Sequence, residues 1–373
     1  MSQVSRTGWA PVWLAALGAM SAIGAVPAAA VAAQGLNDTG VTLCVHGLGR
    51  NEQCAGTGQD GQAGRDVSAR DDSDGHAGFS FVKLDAAGKR LPADATAWAC
   101  LGDKVTGLAW EMKTADGGEH DLNRHFTNFG DGRTGDASAF AASANEQALC
   151  GKSDWRLPTR GELLGIVHYA TRTPGPAIDT AWFPNGDAYS AWTSSGVAGN
   201  SFAAWYVNFH EGYIANLNRD YAFGSVRLVS GESAAPAPSR YVYEGDEVTD
   251  TVTRLVWRRC SEGQRWTGSA CEGVPATGSW AKARRQAEHE AARTGVAWRL
   301  PNVKELQSLV TDDHSQPAID GEAFPGTRSK WYWSSTPYSS LPFYAWSVFF
   351  LDGATNFVMN SEPYAARLVR DAR

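Results

Sequence analysis

Asp154-Trp-Arg-Leu-Pro-Thr-Arg-Gly-Glu-Leu-Leu-Gly-Ile-Val167 and Ala297-Trp-Arg-Leu-Pro-Asn-Val-Lys-Glu-Leu-Gln-Ser-Leu-Val310 are one stretch written twice in the chain. In each copy a proline forces the leucine before it into extended geometry, and Thr159 or Asn302 directly afterwards can cap a helix start. Glu162 and Glu305 stand three residues beyond that cap, the spacing of a capping box. Leu163, Ile166 and Val167, and in the second copy Leu306, Leu309 and Val310, recur at helical spacing. Each copy therefore reads as a buried Trp155 or Trp298, an extended Arg-Leu-Pro, and a helix entered at a fixed corner. A duplication this specific predicts two homologous units.

Outward from the motif, further landmarks recur in the same order. The first unit opens on a strand at Val105-Thr-Gly-Leu-Ala-Trp-Glu-Met112 and predicts a helix from Ala139 to Leu149 ahead of the motif. After the motif come Pro176-Ala-Ile-Asp179, Phe183-Pro184, Ala191-Trp-Thr-Ser-Ser195, a strand at Ala204-Trp-Tyr-Val-Asn-Phe209 and a closing Val226-Arg-Leu-Val229. The second unit answers with Val252 to Trp257, a helix from Ser279 to Arg293, Pro317-Ala-Ile-Asp320, Tyr332-Trp-Ser-Ser-Thr336, Ala345 to Phe350 and Ala366-Arg-Leu-Val369. Alternation of Trp205, Val207 and Phe209, and of Trp346, Val348 and Phe350, fits half-buried antiparallel strands. The fold class is α+β: tandem domains, each with about two helices and a short-stranded antiparallel sheet with long loops. The boundaries follow as a signal peptide over 1–33, a Gly-rich leader over 34–95, domains over 96–230 and 241–373, and a Pro/Ala/Ser linker over 231–240.

With 33 Lys and Arg against 40 Asp and Glu, the net charge of −7 argues against nucleic acid as a partner. Arg6 is the one charge before Asp38, the region from Trp9 to Val26 is apolar, and Val31-Ala-Ala33 offers a small-residue cleavage site. This is an export signal, and no later stretch could span a bilayer. Export makes the six cysteines candidates for disulfides. Locality pairs Cys44 with Cys54 and Cys260 with Cys271, leaving Cys100 with Cys150. The run Arg70 to His76 resembles a calcium loop but puts Arg70 and Phe81 at ligand positions, so it reads as a solvated turn.

The ordered set Val-Thr-Gly-Leu-x-Trp, Asp-Trp-Arg-Leu-Pro-Thr-x-x-Glu-Leu, Pro-Ala-Ile-Asp, Trp-Ser-Ser, Ala-Trp-x-Val-x-Phe-x-x-Gly and Val-Arg-Leu-Val resembles the Lcl C-terminal domain family, in two tandem copies over about 96–230 and 241–373. The resemblance implies a C-type-lectin-like fold, kin to formylglycine-generating and variable-receptor proteins. In the collagen-like adhesin that names the family it implies binding of sulfated polysaccharide by a trimer. This chain has no Gly-x-y triplets, so a collagen stem and its trimerisation do not carry over. Its acidity does not suit a sulfated ligand. The redox cysteines of the formylglycine-generating relatives and the sugar–calcium motifs of lectins lack counterparts, Ser361-Glu-Pro-Tyr364 matching only in part.

No complete catalytic constellation stands out. Ser194-Ser195 and Ser334-Ser335 lack a nucleophile elbow and read as turn hydroxyls, while His120 and His125 lack the spacing of a zinc helix. No cofactor or metal is expected. Arg156 with Glu162, and Arg299 with Glu305, read as ion pairs locking the motif; Arg227 and Arg367 read as strand locks, and Trp155 and Trp298 as core. Ligand contact is expected where the copies differ over a shared frame. Those places are the loops at 196–202 and 337–343, including Tyr338, and the following turn and strand. The turn and strand carry His210, Glu211, Tyr213, Asn216, Asn218 and Arg219, answered by Asp352, Thr355, Asn356 and Asn360. The reading is an exported, non-enzymatic two-domain protein binding a glycan or protein at the cell envelope or surface. A structural envelope module without a discrete ligand is the alternative, and an enzyme of unknown class comes third.

Overall fold

The computed structural model describes residues 1–2, 35–173, 175–186, 189–222, 224–233 and 240–372. The segment read from sequence as an export signal and most of the expected linker therefore fall outside the described residues. No helix among the described residues is long and apolar enough to cross a membrane.

The leader forms a small hairpin, β1 (Cys44–His46) with β2 (Gly49–Asn51), closed by the Cys44–Cys54 disulfide, and a single helical turn, α1 (Arg65–Ser68). Its strand-like run Phe79 to Leu84 becomes β3 (Phe81–Leu84), the edge of the first repeat's antiparallel sheet. That sheet continues with β4 (Cys100–Asp103), β5 (Ala109–Glu111) and, after the helices α2 (Ala137–Glu146) and α3 (Arg160–Gly165), is completed by the strand that ends the repeat. Between α3 and that end lie β6 (Ser190–Val197), β7 (Asn200–Asn208) and β8 (Ile214–Asn218), a three-stranded antiparallel sheet; β9 (Val229–Ser230) then closes the first sheet in the order β3-β4-β5-β9.

The second repeat copies this plan. Its four-stranded sheet is β10 (Tyr241–Glu244), β11 (Glu247–Asp250), β12 (Leu255–Arg258) and β18 (Val369–Asp371). A hairpin of β13 (Arg265–Trp266) and β14 (Cys271–Glu272) carries the Cys260–Cys271 bridge. Helices α4 (Trp280–Thr294) and α5 (Val303–Gln307) precede the three-stranded sheet β15 (Trp331–Pro337), β16 (Tyr344–Phe349) and β17 (Thr355–Met359). The described chain is thus mixed helix and antiparallel strand, and all six cysteines pair as the sequence reading assigns them.

The repeated motif is a corner pinned by hydrogen bonds. Arg156 exchanges backbone hydrogen bonds with Val229, and Arg299 with Val369, so each Trp-Arg-Leu-Pro runs beside the last strand of its repeat. The Arg156 guanidinium forms a two-point bridge to Glu162 at 2.7 and 2.8 Å, and Arg299 does the same with Glu305 at 2.7 Å for both contacts. Each glutamate also accepts from the backbone amide of the cap residue, Thr159 or Asn302, completing the capping box. The charges are therefore used twice, once for the arginine and once for the helix start. Trp155 and Trp298 are buried behind this corner. Arg227 and Arg367, also buried, donate to carbonyls of the opening strand of their own repeat: Arg227 to Glu111, and Arg367 to Arg258.

The repeats do not stand apart. One hydrophobic cluster contains Val41 and Phe79 of the leader, Leu163, Val167 and Trp205 of the first repeat, and Val303, Leu306 and Trp346 of the second. Helices α3 and α5 pack together, and β8 lies against β17. Arg160 crosses this seam with its guanidinium 4.7 Å above the Trp205 ring, donating to the Thr311 carbonyl at 3.1 Å and pairing with Asp312 at 2.7 Å. Gly353 sits at the same seam with φ +94°, where an added Cβ would lie 2.3 Å from Val310 and 2.6 Å from the Arg160 guanidinium. That turn therefore needs glycine for space as well as conformation.

The leader fills the seam with polar groups. The buried Lys304 amine donates to the Asp38 carbonyl at 2.5 Å and the Gly165 carbonyl at 2.8 Å, joining leader, first repeat and second repeat. Asn302 donates to the Asp38 carboxylate at 2.8 Å and Thr336 to Asp60 at 2.6 Å; Asp66 accepts from the amide of Gly78 at 3.0 Å. Burial, then the charges of Asp66 and Glu305, push the Asp38 carboxyl up to about 7. Burial likewise raises Asp60 and Asp66, and it lowers the Lys304 amine to about 7.

This cluster gives stability an inverted pH dependence. A carboxyl whose folded pKa exceeds its unfolded value contributes stability that is full below the unfolded value, about 4, and lost as pH rises through the folded value. Below about 7 Lys304 stays protonated in both states and does not offset this. His168, lowered to about 3 by burial, runs the other way below about 6.5, but it is one group against three aspartates. The melting temperature is expected to be higher near pH 5 (about) than near pH 7 (about), with Asp60→Asn flattening the difference. A wild-type melting temperature that rises steadily over that interval contradicts this account.

Candidate functional site

The residues expected to contact a ligand divide into two groups. Tyr338 and Thr355 are 4% and 3% exposed and lie in the seam, which corrects the expectation for both. The Tyr338 ring stacks on Phe357 at 3.8 Å and its hydroxyl meets Thr173 of the first repeat at 3.2 Å. Thr355 accepts from the amide of Ile214 at 2.8 Å, also across the seam. Asp352 is half-buried; its carboxylate holds its own turn through the amide of Ala354, and its carbonyl accepts from Arg160. These positions differ between the copies because the two sides of an asymmetric seam need different residues.

The other group stays at the surface. His210 is exposed, with Glu211 3.9 Å away, at the turn between β7 and β8; Tyr213 is half-buried against Tyr206. Asn216 and Asn218 are exposed on β8, and Asn356 on β17. Arg219, just beyond β8, ties three segments together. Its amide donates to the Phe202 carbonyl at 2.9 Å, and its guanidinium donates to Ser201 at 3.1 Å and to Asn128 at 2.8 Å.

Around Arg219 the surface carries exposed aromatic rings: Phe202 ends the loop at 196–202 where contact is expected, while Phe129 and Tyr221 lie outside the places the sequence singled out. Phe202 is 79% exposed, Tyr221 follows β8, and Phe129 beside Asn128 lies under the Arg133 guanidinium at 4.0 Å. Strand parity held the signal for Phe202: buried Trp205 and Val207 share one parity, while Phe202 shares the other with half-buried Tyr206 and Asn208. Phe129 and Arg133 sit in a Gly-rich loop with no period to reveal them.

The same place exists in the second repeat. The Asn360 amide donates to the Phe343 carbonyl at 2.8 Å, as Arg219 does to Phe202. Trp280 then bonds to the Asn360 and Ser334 carbonyls, as Asn128 bonds to those of Arg219 and Thr193. Phe343 is 51% exposed, and Leu341, two positions before it, and Met359, next to Asn360, are exposed as well. Two scaffolds with the same hydrogen-bond pattern thus present a phenylalanine to solvent at one equivalent position.

Both scaffolds fall within recognised segments: the family model of the Lcl C-terminal domain matches residues 99–230 and 246–370. The chain belongs to the Lcl C-terminal domain family. It carries two copies of that domain in tandem. No curated protein matches the chain. Outside the two Lcl C-terminal segments, β3 pairs with the first copy and the leader's aspartates hold the second.

Elsewhere in the Lcl C-terminal copies, titratable groups are engaged with one another. Glu111 is buried with Lys113 and His120, each at 2.8 Å, and these partners together with the Leu228 amide hold its carboxyl below the usual range against the cost of burial. The His125 ring packs edgewise on Tyr189. Ser334 donates to the Trp346 carbonyl at 2.8 Å, and the Ser195 hydroxyl accepts from the amide of Arg160.

Proposed function

We propose that this protein is an exported, non-enzymatic binding protein that recognises a glycan or protein at the cell envelope or surface. Binding is assigned to the faces around Phe202 and Phe343, in domains of C-type-lectin-like fold. One observation carries the reading: equivalent phenylalanines, 79% and 51% exposed, are held out by the same hydrogen bond in both repeats. A large apolar ring kept in water at a repeated position gains nothing for folding, whereas burial against a ligand recovers its transfer free energy. On the first face Asn218, Arg219 and Tyr221 add the polar and amphipathic groups that glycan or peptide surfaces use. The three disulfides and the absence of a membrane-spanning helix among the described residues support the exported reading.

A glycan array and an envelope-protein pull-down with the mature chain test this. Phe202→Ala with Phe343→Ala is expected to weaken capture by about tenfold or more, equivalent to about 1.4 kcal/mol, with an unchanged melting temperature. The absence of any captured partner would instead favour a structural envelope module, which the use of Tyr338 and Thr355 as seam packing also supports.

A further inference from the structure

A cleft of about 340 Å³ opens where the leader meets both repeats, and nothing in the proposed glycan- or protein-binding faces involves it. Arg50 comes from the leader, His168 and Arg172 from the segment after α3, and Ser339 from the segment after β15. Its cations are unbalanced. Arg172 is exposed and makes no ion pair or side-chain hydrogen bond among the described residues. Arg50 is half-buried, and its guanidinium donates to the Tyr338 carbonyl but meets no carboxylate. Burial, and then the neighbouring Arg172 charge, lower its pKa.

The one acid lining the cleft is already engaged: Asp179 accepts from the amides of His76 at 3.2 Å and Ala181 at 3.1 Å. His76 turns one ring nitrogen to the Gly40 carbonyl at 3.1 Å and the other toward Asp72 at 3.8 Å. The His168 ring lies 4.5 Å from it at a 40° tilt, more than nine-tenths buried, with Nδ1 lacking any hydrogen-bond partner among the described residues. Holding the half-buried Arg50 guanidinium without a carboxylate partner, beside an unsatisfied buried imidazole, costs folding free energy that the chain does not recover internally. A ligand carrying negative charge would recover it.

We propose that this cleft binds a small dicarboxylate, with Arg50 and Arg172 each taking one carboxylate. The planar guanidinium fork matches a carboxylate through two parallel hydrogen bonds. The volume lies at the small end of ligand pockets and suits a short organic acid rather than a polymer.

Titration calorimetry of the mature chain with succinate, malonate and citrate, and with sulfate and phosphate as competing anions, tests the assignment. Saturable binding of at least one di- or tricarboxylate is expected, at least tenfold tighter than sulfate or phosphate. Arg172→Gln should weaken it by tenfold or more without moving the melting temperature of the unliganded chain, because Arg172 is exposed and unpaired. Arg50→Lys keeps the charge but loses the fork, and should weaken carboxylate binding more than it weakens any residual sulfate binding. Equal or tighter binding of sulfate or phosphate, no saturable binding of any carboxylate, or unchanged affinity in Arg172→Gln would each overturn the proposal.

Discussion

Lys304→Met is expected to lower the free energy of unfolding by about 3–5 kcal/mol, the range for removing one partner from a buried ionic group. The amine is 2% exposed, sits 4.5 Å over the Phe79 ring, and is the cation facing Asp38, Asp60 and Asp66. Its loss leaves buried carboxyls to be neutralised by protonation alone and leaves the Asp38 and Gly165 carbonyls without their donor. Urea denaturation near neutral pH measures this directly. Adding Asp66→Asn to Lys304→Met should return part of the loss, since the two changes share one cluster and are not additive. A loss below about 1 kcal/mol would show that Lys304 does not hold the seam together.

Replacing both Cys100 and Cys150 with alanine ranks beside it. The bridge closes a 50-residue span, and the chain-entropy relation gives about 4 kcal/mol for a loop of that length. The Cys44–Cys54 and Cys260–Cys271 bridges close spans of 10 and 11, for which the same relation gives about 3 kcal/mol. The large bridge also ties β4 to the turn just ahead of the first Trp-Arg-Leu-Pro, anchoring the sheet to the motif. Comparison of the three double-alanine variants in urea should therefore show the Cys100/Cys150 pair as the most costly. An equal or smaller cost than for either short bridge argues against that ranking.

What the sequence made legible was local or repeated. The capping boxes at Thr159–Glu162 and Asn302–Glu305 span three residues, the short disulfides close small loops, and the landmarks corroborate each other by recurring. Hidden from it were contacts between segments more than 260 positions apart, such as Asn302 to Asp38 and Thr336 to Asp60. One signal for them did exist inside the opening motif. Arg160 faces Val303 in the alignment of the copies, and Lys304 faces Gly161; each charge is present once, and each crosses to another part of the chain. Divergence beside an otherwise shared frame marked two different things, the seam and the open face. Sequence alone could not separate Tyr338, which is buried, from Asn218, which is not.

The leader's grip on the second repeat sets an order of events during synthesis. Asp38, Asp60 and Asp66 emerge first, but Asn302, Lys304 and Thr336 are made more than 230 residues later than Asp66. Until then the leader's carboxylates lack the partners they meet in the folded chain, and a chain truncated before α5 lacks Asn302, Lys304 and Thr336 of that cluster. The contacts that join the first-made segment to the last repeat are thus among the most distant in sequence, and long-range closures of this kind are slow to form.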